Sequence, residues 1–247
     1  MIRIFRKLRH RLLFKNKFSR YILYAFGEIA LVVIGILVAI QINNWNRDNT
    51  LYSQELEAYD LIIKDLKRDS ILFQRYNKGY SAYLDTFFKL NAVKKNNSSL
   101  DSIFTDHICS NAEFNPSVQK NNLPIIEKLR NQDVRDRINN YFRRLNLVHQ
   151  ASGEYNKLIN ETSRPFFIEE HNIFNNSAVF ENDDKRFPPL KGVSVIDTIQ
   201  LRKSFSNKYF TPIISELRMS MGFYLTALEL SIKDNSELIQ MLNNELK

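Results

Sequence analysis

The sequence predicts an all-α protein in which one N-terminal transmembrane helix is followed by an antiparallel helical bundle. Three observations predict this fold class. Residues 21–42 form an apolar run with a single charge, and glycine and proline number only six each. Apolar residues also recur at three- and four-residue intervals along most of the remaining chain, as they do in amphipathic helices.

The positive charge of the chain is concentrated at its N-terminus. Residues 1–20 contain eight basic residues and no acid, so they carry the whole formal excess of +8. A nucleic-acid-binding protein normally carries its basic excess on the folded domain. Here the excess lies beside the apolar run, which indicates membrane orientation and argues against a nucleic-acid partner.

Residues 21–42 are long enough to cross a bilayer as one helix. Their 22 residues span roughly 33 Å at 1.5 Å each, against a hydrocarbon core of about 30 Å. Thirteen of them are Leu, Ile, Val or Phe, which favour insertion by roughly 4–8 kcal/mol, whereas Glu28 opposes it by about 3 kcal/mol or less. Tyr21 and Tyr24 at one end and Trp45 beyond the other suit the two membrane interfaces.

The positive-inside rule gives the orientation of this helix. Eight basic residues precede it, and residues 43–48 after it are nearly neutral. We therefore expect residues 1–20 to be a basic amphipathic cytoplasmic segment and residues 43–247 to be a periplasmic helical bundle domain. A cleaved signal peptide is the competing interpretation. The long basic region and a poor cleavage context at residues 40–42 disfavour it.

One face of the apolar helix differs from the others. Following three- and four-residue steps, it consists of Ala25, Glu28, Val32, Gly35 and Ala39. Gly35 and Ala39 form a small-xxx-small pair, which lets two helices approach closely, and an acid at membrane depth points to a partner group. The face is predicted to pack against a second copy or a membrane partner subunit. The alternative is that Glu28 reaches the inner headgroups and Gly35 is incidental.

The N-terminal residues also carry a family resemblance. Within residues 1–50, the run IRIFRKLRHRLLFKNKFSRYILYAFGEIALVVIGILVAIQINNWN resembles the N-terminus of a bacterial family of uncharacterised single-pass membrane proteins, known as a domain of unknown function. The resemblance is weaker over residues 114–142. It implies a Gram-negative inner membrane and a periplasmic domain, and it implies no catalytic residue.

Amphipathic periodicity predicts the helices of the domain. The expected long helices cover residues 51–93, 133–161 and 206–233, and shorter ones cover 100–109, 124–130 and 236–246. A further short helix is expected to start at residues 166–168. Residues 111–122 and 175–195 are expected to be loops. Ser99 and Asp197 are predicted N-caps, and Pro124 is expected in the first turn of its helix.

Charged residues early in the first long helix are interpreted as a solvent face. The acids Glu57, Asp65 and Asp69 accompany the basic residues Lys64, Lys67 and Arg68. Such mixed charges are typical of an exposed helix surface rather than of a carboxylate pair.

No motif in the sequence predicts catalysis, a cofactor or a metal. His107 and Cys109 form an H-x-C pair whose members point about 200° apart on a helix, and Cys109 is the single cysteine. Residues 169–171, Glu-Glu-His, are interpreted as a solvated face and His149 as structural. The aromatic residues are assigned to the core, with a ligand cleft between helices as the alternative.

The leading functional hypothesis is a membrane-anchored periplasmic helical domain that binds a partner protein or ligand, without evident chemistry. A sensor would need a separate transducing subunit, since a 20-residue cytoplasmic segment is too short for a signalling domain. The alternative is a periplasmic enzyme that acts on envelope material through a site not visible in the sequence. The expected partners are the lipid bilayer and a second copy or a membrane subunit.

Overall fold

The computed structural model describes residues 17–101, 103–176 and 195–247. The α-helices in this part of the chain are α1 (Lys17–Asn96), α2 (Ser117–Ile126), α3 (Gln132–Leu158), α4 (Thr198–Ser204) and α5 (Phe210–Glu245). A 3-10 helix, Thr105–Cys109, precedes α2, and two π-helical turns, Ile159–Ser163 and Pro165–Glu170, follow α3.

The predicted all-α fold class is confirmed. The described residues contain no strand, and their only β pairing is an isolated antiparallel bridge between Phe174 and Ile196. The predicted amphipathic segment within residues 1–20 and the predicted loop at 175–195 lie almost entirely outside the described residues.

The chain divides into two compact units, Met1–Leu56 and Glu57–Lys247, and residues of α1 belong to both. In the first unit, the large apolar side chains described between residues 21 and 42 lie mostly in the open. Phe26 is 68% exposed and Ile42 is 60% exposed. Among the described helices, α1, which contains these residues, is the one that is long and apolar enough to cross a membrane.

In the second unit, hydrogen bonds fix the directions of α1 and α5. Asn235 Nδ2 donates to the carbonyl oxygen of Leu66 at 3.2 Å. Farther along α1, Lys94 Nζ donates to Thr211 Oγ1 at 2.8 Å. Later residues of α1 therefore meet earlier residues of α5, so the two helices are antiparallel.

Helix α3 also runs antiparallel to α5. Arg144 Nε lies 3.1 Å from a carboxylate oxygen of Asp234, and Arg137 pairs with Glu237. The buried Tyr141 hydroxyl accepts a hydrogen bond from Asn235 Nδ2 at 2.9 Å. Because the same amide also bonds to α1, Asn235 joins all three long helices inside the core.

The segment between α1 and α3 returns along α1. His107 lies against Thr86, Glu113 bonds to Tyr80, and Ser117 bonds to Asp69. Later residues of the segment thus contact earlier residues of α1, so the segment runs antiparallel to α1. The second unit is an up-down-up-down bundle in which this returning segment is the second leg.

The core stripe predicted for α3 is confirmed residue by residue. Its nine predicted members are all buried: Val134, Ile138, Tyr141, Phe142, Leu145, Val148, Ser152, Tyr155 and Ile159. Each large apolar side chain among them contributes about 1.5–3 kcal/mol relative to its exposed state. This stripe packs α3 against α5 and the returning segment.

Asp69 contradicts its sequence interpretation, because it is fully buried rather than part of a solvent face. Its carboxylate accepts hydrogen bonds from the Ser117 N–H (2.8 Å), the Ser117 hydroxyl (2.6 Å) and the Val118 N–H (2.9 Å). These N–H groups begin α2, where a helix has unsatisfied donors and a partial positive charge. Asp69 is therefore an N-cap supplied by another helix.

The neighbouring Asp65 strengthens the same contact. One of its carboxylate oxygens accepts from Asn121 Nδ2 at 3.0 Å and from the buried Asn122 Nδ2 at 2.9 Å. Asp65 and Asp69 lie one helical turn apart on α1, so both reach α2. Of the three predicted solvent-face acids, Glu57 is exposed as predicted, Asp65 is only partly exposed and Asp69 is buried.

Several predicted boundaries of the short helices are wrong. The helix expected at 100–109 is only the 3-10 helix Thr105–Cys109, although the Ser99 hydroxyl accepts from the Asp101 N–H. Helix α2 begins at Ser117, within the expected loop, because Asp69 supplies the cap that local sequence lacks. Pro124 therefore lies inside α2 rather than in its first turn.

The later boundaries differ for a second reason. Pro165 was expected to bound the helix begun near residue 133, but the chain continues through it as π-helical turns to Glu170. The looser π register accommodates a residue without an N–H donor.

The helices expected at 206–233 and 236–246 form one helix, α5. The predicted Asp197 cap is confirmed, since its carboxylate accepts from the Ile199 and Gln200 N–H groups.

Replacing Asp69 should destabilise the helical unit. Asp69→Ala leaves three donors of the returning segment, one buried and two partly buried, without an acceptor. The free energy of unfolding should therefore fall by about 3 kcal/mol. Asp85→Ala is the matched control, because Asp85 is an exposed acid of α1 that pairs with Lys89 and should cost less than about 0.5 kcal/mol. Chemical unfolding of the full chain in detergent, followed by circular dichroism, measures both. Equal losses would contradict the capping role.

Candidate functional site

A groove of about 670 Å³ lies between the start of α2 and the outer face of α3. Its apolar walls include Pro116 and Leu145. The groups with exposed polar atoms are Asn115, Gln119, Lys120, Asn121, Asn146 and His149. All of these residues belong to the second unit.

The walls of the groove are held in place by packing and hydrogen bonds. The ring of Phe114 stacks on Phe73 of α1 with 5.2 Å between centroids, and Ser117 is fixed by Asp69. Across the groove, Gln119 Nε2 donates to Asn146 Oδ1 at 3.2 Å. The returning segment and α3 are thus linked across the groove.

The lining of the groove favours a polar ligand that is neutral or negatively charged. Lys120 and His149 are its basic groups, and no acid lines it. The amides of Asn115 and Asn146 can both donate and accept hydrogen bonds. The first N–H groups of α2 contribute no anion site, because Asp69 already accepts from them.

His107, which the sequence singled out with Cys109, is a packed residue of the 3-10 helix. Its ring stacks on Tyr83 with 4.1 Å between centroids, and Nδ1 lies 2.8 Å from Thr86 Oγ1. Burial lowers the pKa of His107 from 6.5 to about 4, although the nearby Asp106 carboxylate and a hydrogen bond to the Ala82 backbone oppose this shift. The ring therefore docks the segment on α1.

Cys109 is equally structural. Burial raises the pKa of its thiol to about 12, so the reactive thiolate is scarce at neutral pH. Its carbonyl oxygen accepts a hydrogen bond from Arg164 Nε at 3.0 Å. Within the described ranges, no three His, Cys, Asp or Glu side chains gather closely enough to hold a metal ion.

Tyrosine side chains of α1 and α5 bind the middle of the returning segment. The Glu113 N–H donates to Tyr80 Oη at 2.6 Å, and the Tyr224 hydroxyl donates to the Glu113 carbonyl at 3.0 Å. Burial raises the pKa of Tyr80 to about 12 and also raises that of Tyr224. These tyrosines hold the backbone in the core, as the assignment of aromatic residues to the core predicted.

The other predicted histidine sites have different environments. His149 is exposed at the rim of the groove, where its ring is available to a ligand. Glu169 and Glu170 are exposed as predicted, but His171 is not on a solvated face. Its ring packs edge-on against Phe166, and Nε2 lies 3.1 Å from Asn207 Nδ2.

The predicted transmembrane packing face lies in the first unit. Glu28, Val32, Gly35 and Ala39 are exposed, and Ala25 is half-buried. A Cβ atom added to Gly35 would meet no atom within 4 Å. The described part of the chain therefore leaves room at Gly35. At the predicted membrane interfaces, Tyr21 and Trp45 are exposed and Tyr24 is half-buried.

The groove residues were missed because residues 111–122 were expected to be loop. One signal in the sequence could have found them. Leu66, Asp69 and Phe73 keep three- and four-residue spacing, so Asp69 falls on the apolar stripe of α1. An acid on a buried stripe needs donors from another segment, and polar residues 115–122 are suitable.

The comparisons with known proteins return one match. A family model with the description "Family of unknown function (DUF6090)" matches residues 28–185, which is more than half of the chain. No curated protein and no solved structure matches the chain. The matched range begins within the apolar run and includes the groove.

Acidification should destabilise the helical unit through His107. Because its pKa is about 4 when folded and 6.5 when unfolded, the unfolded chain binds the proton more tightly. The contribution of neutral His107 to the free energy of unfolding is therefore fully present above about pH 6.5, and it is lost as the pH falls toward about 4. His107→Gln should reduce this loss, measured by urea unfolding at neutral pH and about pH 5. His149→Gln, at an exposed site, is the control. Identical pH dependence in wild type and His107→Gln would contradict the prediction.

Proposed function

The chain belongs to DUF6090, a family of unknown function, and we propose that it is a membrane-anchored helical domain that binds a partner. The observation that carries the proposal is the uncovered apolar run of residues 21–42. Its side chains lie in the open although apolar surface of this extent is costly in water. A bilayer supplies the missing cover, and every backbone group is already satisfied by the helix.

The orientation that we propose places residues 1–20 in the cytoplasm and the helical unit in the periplasm of a Gram-negative cell. Its support is the charge asymmetry about the apolar run, because eight basic residues precede it and residues 43–48 are nearly neutral. The inner membrane is the bilayer that this topology requires.

The groove is the proposed binding site of the helical unit. Its position on a rigid scaffold suits binding, because the Asp69 cap and the Gln119–Asn146 bond fix both walls. Lys120 and His149 favour a ligand with a carboxylate or another acidic group, such as an acidic segment of a partner protein. Amide groups beside them would orient it.

The transmembrane face of Glu28, Gly35 and Ala39 is proposed to pack against a second copy or a membrane partner subunit. The exposure of this face and the open space at Gly35 support close helix approach. Packing would also give Glu28 a polar partner away from lipid.

Enlarging Gly35 should disrupt that packing. Gly35→Ile should reduce crosslinking of the full chain to its membrane neighbour by roughly threefold or more, because a branched side chain blocks close approach. Ala30→Ile is the matched control, since Ala30 lies on the opposite side of the helix. Crosslinking in isolated membranes measures the effect. If both variants crosslink like wild type, this face does not carry the contact.

Reversing the charge of the groove should weaken partner binding. The full chain is purified from membranes with its bound proteins, which are quantified by mass spectrometry. Lys120→Glu should lower the yield of specific partners by roughly tenfold, because it repels an acidic ligand. Lys78→Glu, at an exposed site of α1, is the control. Equal partner yields from the two variants would contradict binding at the groove.

A further inference from the structure

Helix α5 has a second apolar stripe on its outer surface. Its apolar members are Met219, Phe223 and Leu230, with Thr226 among them and with Glu216 and Lys233 at the two ends. The steps between them alternate three and four residues throughout, which is the spacing of the a and d positions of a coiled-coil heptad. We call these six residues the α5 seam.

The seam is exposed over its whole length. Met219 is 67% exposed, Phe223 60% and Leu230 44%. The core side of α5 is formed by other residues, among them Leu217 and Leu228, which are fully buried. The helix is therefore apolar on two sides, and the chain's own core uses one of them.

The polar residue inside the seam does not oppose burial. The Thr226 hydroxyl donates to the Gly222 carbonyl oxygen at 2.9 Å, so an interface would leave no unsatisfied donor. A Cβ atom on Gly222 would meet no atom within 4 Å. Gly222 and Ala227 flank the seam, and because both are small they permit a second helix to approach closely.

The spacing of the six seam residues is symmetric about the midpoint of the seam. If a second α5 helix lies antiparallel, Met219 faces Leu230 and Phe223 faces Thr226, each pair occurring twice. At the ends, Glu216 of one copy faces Lys233 of the other. Glu216 has no ion-pair partner among the described residues, and Lys233 has only a 4.0 Å contact with Glu237.

A parallel arrangement would reverse this complementarity. It would place Glu216 against Glu216 and Lys233 against Lys233, and like charges at core positions oppose association. Charge complementarity therefore favours a second copy of α5 as the partner and an antiparallel direction for it.

We propose that the α5 seam is a homodimer interface, in which the seams of two copies of this chain pack antiparallel. This contact goes beyond the proposed function, since it uses neither the groove nor the transmembrane face. The seam is about 26 Å long at 1.5 Å per residue, which makes the interface small. The dimer is therefore weak and forms in a concentration-dependent manner.

Disulfide crosslinking tests the direction of the pair. Two differently tagged full chains are made in a Cys109→Ser background, one with Met219→Cys and the other with Leu230→Cys. Mixing them in detergent under mild oxidation should give a heterodimeric disulfide, because these positions face each other. Each chain alone should crosslink at least fivefold less, since like positions lie about 16 Å apart. Crosslinking of each chain to itself with equal yield, or no crosslinking in the mixture, would overturn the proposal.

Charge variants test the same contact without cysteines. Glu216→Lys should weaken dimerisation, measured by analytical ultracentrifugation of the full chain in detergent, by roughly tenfold. The double variant Glu216→Lys with Lys233→Glu restores both cross-copy pairs and should restore the dimer. Failure of the double variant to recover affinity would contradict antiparallel pairing.

Two glutamate substitutions, one in the seam and one outside it, test whether the effect is specific to the seam. Phe223→Glu should abolish the dimer while keeping the wild-type circular dichroism spectrum. Leu147→Glu, at a half-exposed position of α3, should leave the dimer intact. Equal loss of dimer in both variants would show that the effect is not specific to the seam, and would overturn the proposal. All of these chains also carry Gly35→Ile, so that a contact through the transmembrane face does not contribute to the dimer that is measured.

Discussion

The constraint on which the rest of the molecule depends is an apolar helical segment that the described chain leaves uncovered. Most described side chains of residues 21–42 are exposed, whereas the helices of the second unit bury their core-facing stripes. Water is a poor solvent for the first and a good solvent for the second. One chain thus combines a segment suited to lipid with a bundle suited to water, and its excess of basic over acidic residues lies at the N-terminal end.

Inside the bundle, a few buried polar groups specify which segments meet. Asp69 supplies the acceptor that begins α2, and Asn235 joins α1, α3 and α5 through one amide. Apolar stripes alone would tolerate several registers, because burial of area is not directional. In a shifted register, these buried polar groups would lose their hydrogen bonds, so they exclude the alternative registers. The groove and its rim exist because Asp69 holds the returning segment against α1.

The long elements could be predicted because their signals are local. The stripe of α3 has nine members in strict helical spacing, and all nine are buried. The Asp197 cap was predictable for the same reason, since its donors lie two and three residues ahead. Helix α2 was missed because its cap comes from Asp69, which is 48 residues away in sequence. The π turns after α3 were missed because Pro165 normally predicts an end to a helix.

The candidate site was less predictable than the fold. Lys120 and His149 become neighbours only when the returning segment lies beside α3, and no short motif carries that information. Asp69 was assigned to the surface because its neighbours in sequence are charged, although its spacing from Leu66 and Phe73 places it inside. For the transmembrane face the limit is different, because the partner that we propose for it would be a separate chain.

The central claim is that lipid covers residues 21–42 and that the helical unit lies across the membrane from the basic N-terminus. Fusions of alkaline phosphatase or a cytoplasm-dependent fluorescent protein to Lys247 of the full chain test it most directly, with fusions after Arg20 as the cytoplasmic reference. The account predicts high phosphatase activity and low fluorescence at Lys247, and the reverse at Arg20. High fluorescence without phosphatase activity at Lys247 would contradict it.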